Sequence, residues 1–212
     1  MKLSASILSI QYDTDIKEKI SILINCPIDY LHLDIMDGNF VPNKKWEYNE
    51  IETLLPKDCK NLDVHLMVND VKKYISDFSA LNPQYITFQL ETVSNPIEMI
   101  NLIKTKNIKV GIALKPNTSI DSLRSYLDLI DLVLVMSVEP GLGGQKFLDE
   151  SIKKIEQLYD IREKNNYKYV IEVDGGINDK KINYCQKCDI VVVGSYITNG
   201  NYEEQIKKLN IK

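Results

Sequence analysis

The sequence predicts an α/β chain folded as a (β/α)8 barrel, one domain over residues 1–212. Three observations carry this. Short apolar runs recur about every 20–30 residues with amphipathic stretches between them, the pattern of repeated βα units on a parallel sheet. There are about eight runs and room for about eight helices, which suits a compact closed barrel. The other architecture with this pattern, an open doubly wound sheet, normally carries a glycine-rich fingerprint straight after its first strand. Here the first run leads into SIQYD (9–13), which has no glycine.

The strand candidates, in order, are LSASILS (3–9), YLHLDIM (30–36), LDVHLM (62–67), YITFQL (85–90), KVGIAL (109–114), LVLVMS (132–137), YVIEVD (169–174) and DIVVVG (189–194). Between them lie helix candidates. In the second unit only YNEIETLL (48–55) can supply a helix. Val71, Tyr74, Ile75 and Phe78 follow the i, i+3, i+4, i+7 spacing of one helical face. NPIE (95–98) offers Asn95 as N-cap, Pro96 at the first helical position and Glu98 two further on. Ile152, Ile155, Leu158 and Ile161 mark a longer helix, and Tyr202, Ile206 and Leu209 a final one.

Composition narrows the function classes. Hydrophobic residues make up 44% and charged residues 26%, values of a soluble globular protein with a sizeable core. The net charge is −4, and no basic stripe with interleaved aromatics appears, so nucleic acid is excluded as a partner. An anionic substrate must then be held by local donors. The N-terminus MKLSASILSI lacks the apolar core of a secretory signal. No apolar run reaches the roughly 18–20 residues of a membrane span. A cytoplasmic location with no membrane partner is expected. The four cysteines, Cys26, Cys59, Cys185 and Cys188, are expected as reduced thiols. CQKC (185–188) is a lone C-x-x-C, and without a second pair it reads as ordinary helix-end and strand thiols.

The chemistry gathers at strand ends, where a barrel builds its active site. In YLHLDIM the side chains alternate: Leu31, Leu33 and Ile35 point one way, His32, Asp34 and Met36 the other. The third run puts Asp63, His65 and Met67 on one face; the sixth carries Met136, the seventh Asp174. The chain has only two histidines. Either alone would suit a hydrogen-bonded core position, but both fall at adjacent strand ends beside carboxylates. His32, Asp34, His65 and Asp174 thus form a candidate site for one divalent metal ion. Imidazole and carboxylate suit zinc, iron, manganese or cobalt without choosing among them. Asp63, deeper in the barrel, is read as a supporting or packing carboxylate. Met36, Met67 and Met136 would give the site an apolar lining without a competing proton donor.

Glycine clusters follow the last three strands: PGLGG (140–144), GGI (175–177) and GS (194–195). Backbone N–H groups freed there could hold a phosphate. With a metal on a carbonyl and its neighbouring hydroxyl, a proton α to the carbonyl becomes removable through an enediolate. Carboxylates on strands two and seven could take the proton from one face and return one to the other, inverting the centre.

At these residues the sequence resembles the ribulose-phosphate 3-epimerase family. SILS (6–9), HLDIMDGNFVPN (32–43), DVHLMV (63–68), MSVEPGLGGQKF (136–147), IEVDGGI (171–177) and VGS (193–195) match the family's motifs in order, across essentially the whole chain. The resemblance implies a TIM barrel of the ribulose-phosphate-binding type, with metal ligands His32, Asp34, His65 and Asp174. It implies Asp34 and Asp174 as the acid/base pair. It implies substrate contacts from Ser6, His65, Gly141, Leu142, Gly143, Gly144, Gly175, Gly176, Gly194 and Ser195. The substrate would be a small sugar phosphate, with D-ribulose 5-phosphate and D-xylulose 5-phosphate interconverted in the pentose phosphate pathway. No organic cofactor is implied, and a homo-oligomer is expected.

Three positions depart from the family's pattern. Ser4 and Ala5 stand where Ala-Pro is usual. Gln89 replaces a usual histidine and keeps hydrogen bonding without the ability to change charge near neutral pH. KKWEYNE (44–50) replaces a Thr-x-Gly-Pro turn and contains Trp46, which could anchor packing or an interface. Other readings stay open at this point: an epimerase of a related ketose phosphate such as allulose 6-phosphate, or a sugar-phosphate-binding barrel without turnover. A decarboxylase of the orotidine-phosphate type wants Asp-x-Lys-x-x-Asp on the third strand, where this chain has DVHLMVN (63–69) with His65 in the lysine's place. A Schiff-base aldolase would need Lys115, which has no evident charge partner nearby.

Overall fold

The computed structural model describes residues 1–10, 14–57 and 59–211. All eight expected apolar runs are strands: β1 Lys2–Ser6, β2 Tyr30–Asp37, β4 Leu62–Met67, β5 Tyr85–Gln89, β6 Lys109–Leu114, β7 Leu132–Met136, β8 Val170–Asp174 and β9 Ile190–Val193. Each pairs in parallel with its neighbour, and β1 pairs with both β9 and β2, so the sheet closes on itself. The first run stops earlier than expected, because Leu8–Ile10 turns into a 3-10 helix at the barrel rim.

A ninth strand, β3 Lys44–Lys45, was not anticipated; it runs antiparallel to the end of β2, with Met36 opposite Lys45. The hairpin takes up the start of KKWEYNE (44–50). It places Trp46 at φ 59°, a left-handed conformation uncommon for a bulky residue. Trp46 is only 8% exposed and belongs to the main core, so it is a packing anchor.

Period-2 alternation sorts the strand residues into two layers. Leu31, Leu33, Ile35, Val64 and Leu66 face the helices and are fully buried. The opposite set faces the barrel axis. Tyr30, Tyr85, Leu132 and Ile190 plug the N-terminal end. Above them comes a polar level of Ser4, His32, Asp63, Thr87 and Glu172, all fully buried. Register then sets Asp34 beside His65, one step nearer the C-terminal mouth. Gly111 makes room inside the barrel, since a Cβ there would meet Thr87 Oγ1 at 2.1 Å.

The helices are α1 Ile16–Ile24, α2 Tyr48–Leu54, α3 Val71–Phe78, α4 Pro96–Thr105, α5 Glu150–Asn165, α6 Ser195–Thr198 and α7 Tyr202–Leu209. α2 starts with a capping box between Glu47 and Glu50. In α3, Val71, Tyr74, Ile75 and Phe78 are the buried face. Pro96 opens α4, but Asn95 makes no side-chain cap and Glu98 instead pairs with Lys72 at 3.1 Å. The expectation of about eight helices fails after β6 and β8. Those connections hold only the 3-10 turns Ile120–Leu123 and Lys181–Cys185. The second must fit two reversals between Gly175 and Asp189, leaving one tight turn to bury Ile182 and Cys185.

Cys26, Cys185 and Cys188 are buried free thiols. Among the described residues, no helix is long and apolar enough to cross a membrane.

Candidate active site

Three strands deliver the titratable side chains. β2 supplies His32 and Asp34, β4 supplies Asp63 and His65, and β8 supplies Glu172 and Asp174, each pair two residues apart and so on the same, inward face. His32 Nδ1 lies 2.7 Å from Asp63 Oδ2, which also accepts from Ser4 Oγ at 2.7 Å. His32 Nε2 is 3.4 Å from Asp34 Oδ1 and, although buried, has no hydrogen-bond partner. His65 Nδ1 lies 3.3 Å from the same Oδ1. Ser6 Oγ donates to Asp34 Oδ2 at 2.8 Å. The backbone of Asp174 is fixed by Ser137, whose N–H and Oγ both donate to its carbonyl, at 2.7 and 2.8 Å.

One donor atom from each of His32, Asp34, His65 and Asp174 falls within 4.8 Å of the others, so the four could hold a metal ion. The orphaned Nε2 of His32 fits that role, because a buried ring nitrogen without a partner is costly unless something binds it. A second group, His32, Asp63 and Glu172, also brings its donor atoms within 4.8 Å of one another. It lies one level deeper, and both Glu172 oxygens are buried without a donor.

The environments separate the carboxyls. Burial disfavours the charge of Asp34, but the His32 and His65 rings outweigh it and hold Asp34 well below the usual range. Asp63 is lowered too, as His32 overcomes the cost of burial. Asp174 is pushed the other way, up to about 7, by burial and then by the Asp34 charge. Burial, followed by the Asp63 charge, raises Glu172 well above normal. Burial lowers the imidazoles, yet Asp63 and Asp34 lift His32 well above its ordinary value, whereas for His65 burial prevails. Two carboxyls at a shared cluster whose environments push them in opposite directions suit acid/base chemistry.

A cavity of about 630 Å³ opens above the cluster. Ser6, Asp34, Asp174, Met67 and Met136 line its floor, and its walls include Gly141–Gly144, Gly175, Gly176, Gly194 and Ser195. His32 and His65 sit beneath, fully buried. Met36 is not brought to the cavity; it packs behind the rim against Leu8, Val41 and Met67. Two of the glycines are demanded by backbone packing. At Gly176, φ 65°, a Cβ would sit 2.3 Å from Phe147 N. At Gly141, φ 111°, it would sit 2.9 Å from Val41, while Asn43 Nδ2 donates to the Gly141 carbonyl at 2.8 Å. Lys115 stays outside the cavity, with Nζ 4.2 Å from the Phe40 ring.

Sequence reasoning overlooked Glu172. The signal was present: it precedes Asp174 by two residues and so shares its inward face. Gln89, noted only as a departure, proves to touch the cluster, its Nε2 lying 2.8 Å from His65 Nε2.

A closed parallel barrel with a histidine–carboxylate cluster at the C-terminal ends of its strands defines the chain as a TIM-barrel enzyme. Solved structures agree on the fold. KGPDC from Streptococcus mutans superposes with a TM-score of 0.70, covering 99% of this chain and 95% of that one at 11% identity. The tryptophan synthase alpha subunit of Campylobacter jejuni gives 0.66, covering 98% and 93% at 16% identity.

The chain belongs to the ribulose-phosphate 3-epimerase family, whose model matches residues 2–198. It is 38% identical to the ribulose-phosphate 3-epimerase of Helicobacter pylori strain J99, over 100% of this chain and 95% of that protein. Identity to the enzyme of the same name from Aquifex aeolicus is 36%, over 92% and 89% of the two chains. For Methanocaldococcus jannaschii it is 37%, over 93% and 84%. Family membership makes the chain an isomerase that epimerises a pentose phosphate.

Proposed function

We propose that the chain interconverts D-ribulose 5-phosphate and D-xylulose 5-phosphate by moving protons at C3, with Asp34 and Asp174 as the two acid/base groups. The observation that carries this is geometric: Asp34 and Asp174 each bring a carboxylate oxygen to one cluster and both line the same cavity, in environments that push their proton affinities apart, Asp34 down and Asp174 up to about 7. The ionised Asp34 takes the C3 proton from one face; the protonated Asp174 delivers one to the other face. In the reverse direction they exchange tasks. Ser6, donating to Oδ2 of Asp34, keeps Oδ1 turned toward the rings and the reacting carbon.

His32, Asp34, His65 and Asp174 would together hold one divalent cation, whose positive charge supports the oxygens of the enediolate. Zinc, iron, manganese and cobalt all suit this donor set. His65 lies beneath the cavity floor, so its part is in the cluster rather than against the sugar. Met67 and Met136 keep the reacting carbon in an apolar setting without a competing proton donor. The phosphate is held by backbone N–H groups of Gly141, Leu142, Gly143 and Gly144, with Gly175, Gly176, Gly194 and Ser195 opposite. These segments line one continuous cavity with the carboxyls, which supports the assignment. At a net charge of −4 the chain offers no broad attraction for an anion, so local donors must do this.

Residues 1–212 are read as one domain, because β1 and β9, from opposite ends of the chain, pair to close the barrel. The same reading has the chain working in the cytoplasm as a homo-oligomer. The free thiols suit a reducing compartment, and sedimentation would determine the assembly.

The decisive experiment incubates D-ribulose 5-phosphate with the protein in deuterated water. Deuterium at C3 of the xylulose 5-phosphate formed is the expected result. Product with a different sugar skeleton, or preferential turnover of allulose 6-phosphate, would replace the substrate assignment. Retention of full activity after exhaustive chelation would remove the cation.

A further inference from the structure

The two imidazoles of the cluster present opposite edges to it. His32 turns Nδ1 away, to Asp63 Oδ2 at 2.7 Å, and leaves Nε2 facing Asp34. His65 turns Nδ1 toward Asp34, at 3.3 Å, and Nε2 away, to the side-chain amide of Gln89 at 2.8 Å. Gln89 is fully buried, and its Oε1 has no partner.

A ring nitrogen can offer a lone pair to a cation only when it carries no proton, so the other nitrogen must then carry one and needs an acceptor. For His32 the acceptor is the Asp63 carboxylate. For His65 the candidate at Nε2, among the described residues, is Gln89. A primary amide is suited to this position because its two ends are alike in size and opposite in character. With the amide nitrogen at the ring, Gln89 donates to Nε2, and His65 keeps its proton on Nδ1, toward Asp34. With Oε1 at the ring, Gln89 accepts from Nε2–H, its orphaned oxygen gains a donor, and the Nδ1 lone pair faces the cluster.

We propose that Gln89 is the positioning residue for His65: its Oε1 accepts from Nε2–H and so fixes the tautomer that presents Nδ1 to the cation. With a cation held at Nδ1, His65 would be the neutral tautomer protonated on Nε2, and the amide would be turned to accept from it. This rests on the cation reading given above. It also gives the Gln89 departure from the family's usual histidine a function: an amide oxygen offers Nε2–H an acceptor and brings no charge of its own.

The test uses metal-free full-length protein titrated with cobalt(II), read by visible absorbance. Gln89→Met keeps the volume and removes both hydrogen-bonding ends; it should weaken cobalt binding about 10–100-fold. Gln89→Glu, which retains an acceptor, should recover most of that loss. Asp174→Asn is the control for the site. If Asp174→Asn weakens cobalt binding and Gln89→Met does not, Gln89 has no such role and the cation reading stands. If wild type binds cobalt no better than Asp174→Asn, the cation reading falls and this inference with it. A variant that fails to fold is bypassed by the zinc-loaded wild type with ¹⁵N-labelled histidine. With only two histidines in the chain, the four ring nitrogens are separately readable. The proton should sit on Nε2 of His65 and Nδ1 of His32; a proton on Nδ1 of His65 overturns the proposal.

Discussion

Asp63 stands behind His32, its Oδ2 2.7 Å from Nδ1, and this contact decides which edge of the ring meets the active-site cluster. Both residues are fully buried, so neither can exchange its partner for water. Removing one member of a buried charged pair typically costs about 3–5 kcal/mol. Asp63→Ala should therefore destabilise the protein by about that much in urea unfolding and weaken cation binding, while Asp63→Asn, which retains an acceptor, should do less of both. Equal stability of Asp63→Ala and wild type would show the contact to be passive.

Asp34→Asn and Asp174→Asn should each lower kcat by at least about 10²–10⁴-fold, the range for losing a general acid or base. Circular dichroism should stay unchanged. Single-turnover exchange of the C3 proton into solvent separates them further, since each variant should be crippled in one transfer. Near-normal turnover by either variant contradicts the two-carboxyl scheme.

The metal-free protein should lose stability on both sides of a window. Asp34 and Asp63 have lowered values, so their contribution is present above the ordinary carboxylate range and is lost as pH falls. Asp174, at about 7, and the raised Glu172 and His32 act oppositely; their contribution is present at low pH and disappears as pH rises through their folded values. A cation competes with protons for the cluster. Its affinity should increase from about pH 6 to about pH 8, with protons released in weakly buffered solution. Calorimetry in buffers of different ionisation enthalpy measures this; a pH-independent affinity refutes it.

Gly176→Ala meets two penalties, a φ of 65° and a Cβ 2.3 Å from Phe147 N. Strained left-handed positions cost of order 1–3 kcal/mol. The cavity wall at residues 145–147 must also shift. A Tm lower by several degrees and a raised KM are expected. Gly144→Ala, where a Cβ would meet nothing within 4 Å, should be milder in Tm despite its φ of 74°.

Much of this was legible in the sequence because strand alternation has a period of two and admits little ambiguity. Alternation puts His32 with Asp34 on one strand face and His65 on another, the strand-end rule of a barrel joins them to Asp174, and the fold brings their donor atoms within 4.8 Å. What escaped depended on packing between segments. The β3 hairpin spans only Lys44–Lys45, too short for a periodic signal. Met36 shares the inward face but sits high enough to be covered by Leu8 and Val41. Glu172 was passed over because a lone glutamate inside a strand looks like a solvated one until the barrel closes round it. Gln89 was visible as an oddity, but its link to His65 needs the two strands in register.

Closure of the sheet between β1 and β9 also orders events in time. Donors from β2 and β4 leave the ribosome early, whereas Asp174 on β8 follows more than a hundred residues later, at position 174 against 65. The seam that seals the barrel waits for residues 190–193. A nascent chain thus carries three of the four donors through most of its synthesis, and the pocket becomes whole only when its last strand docks.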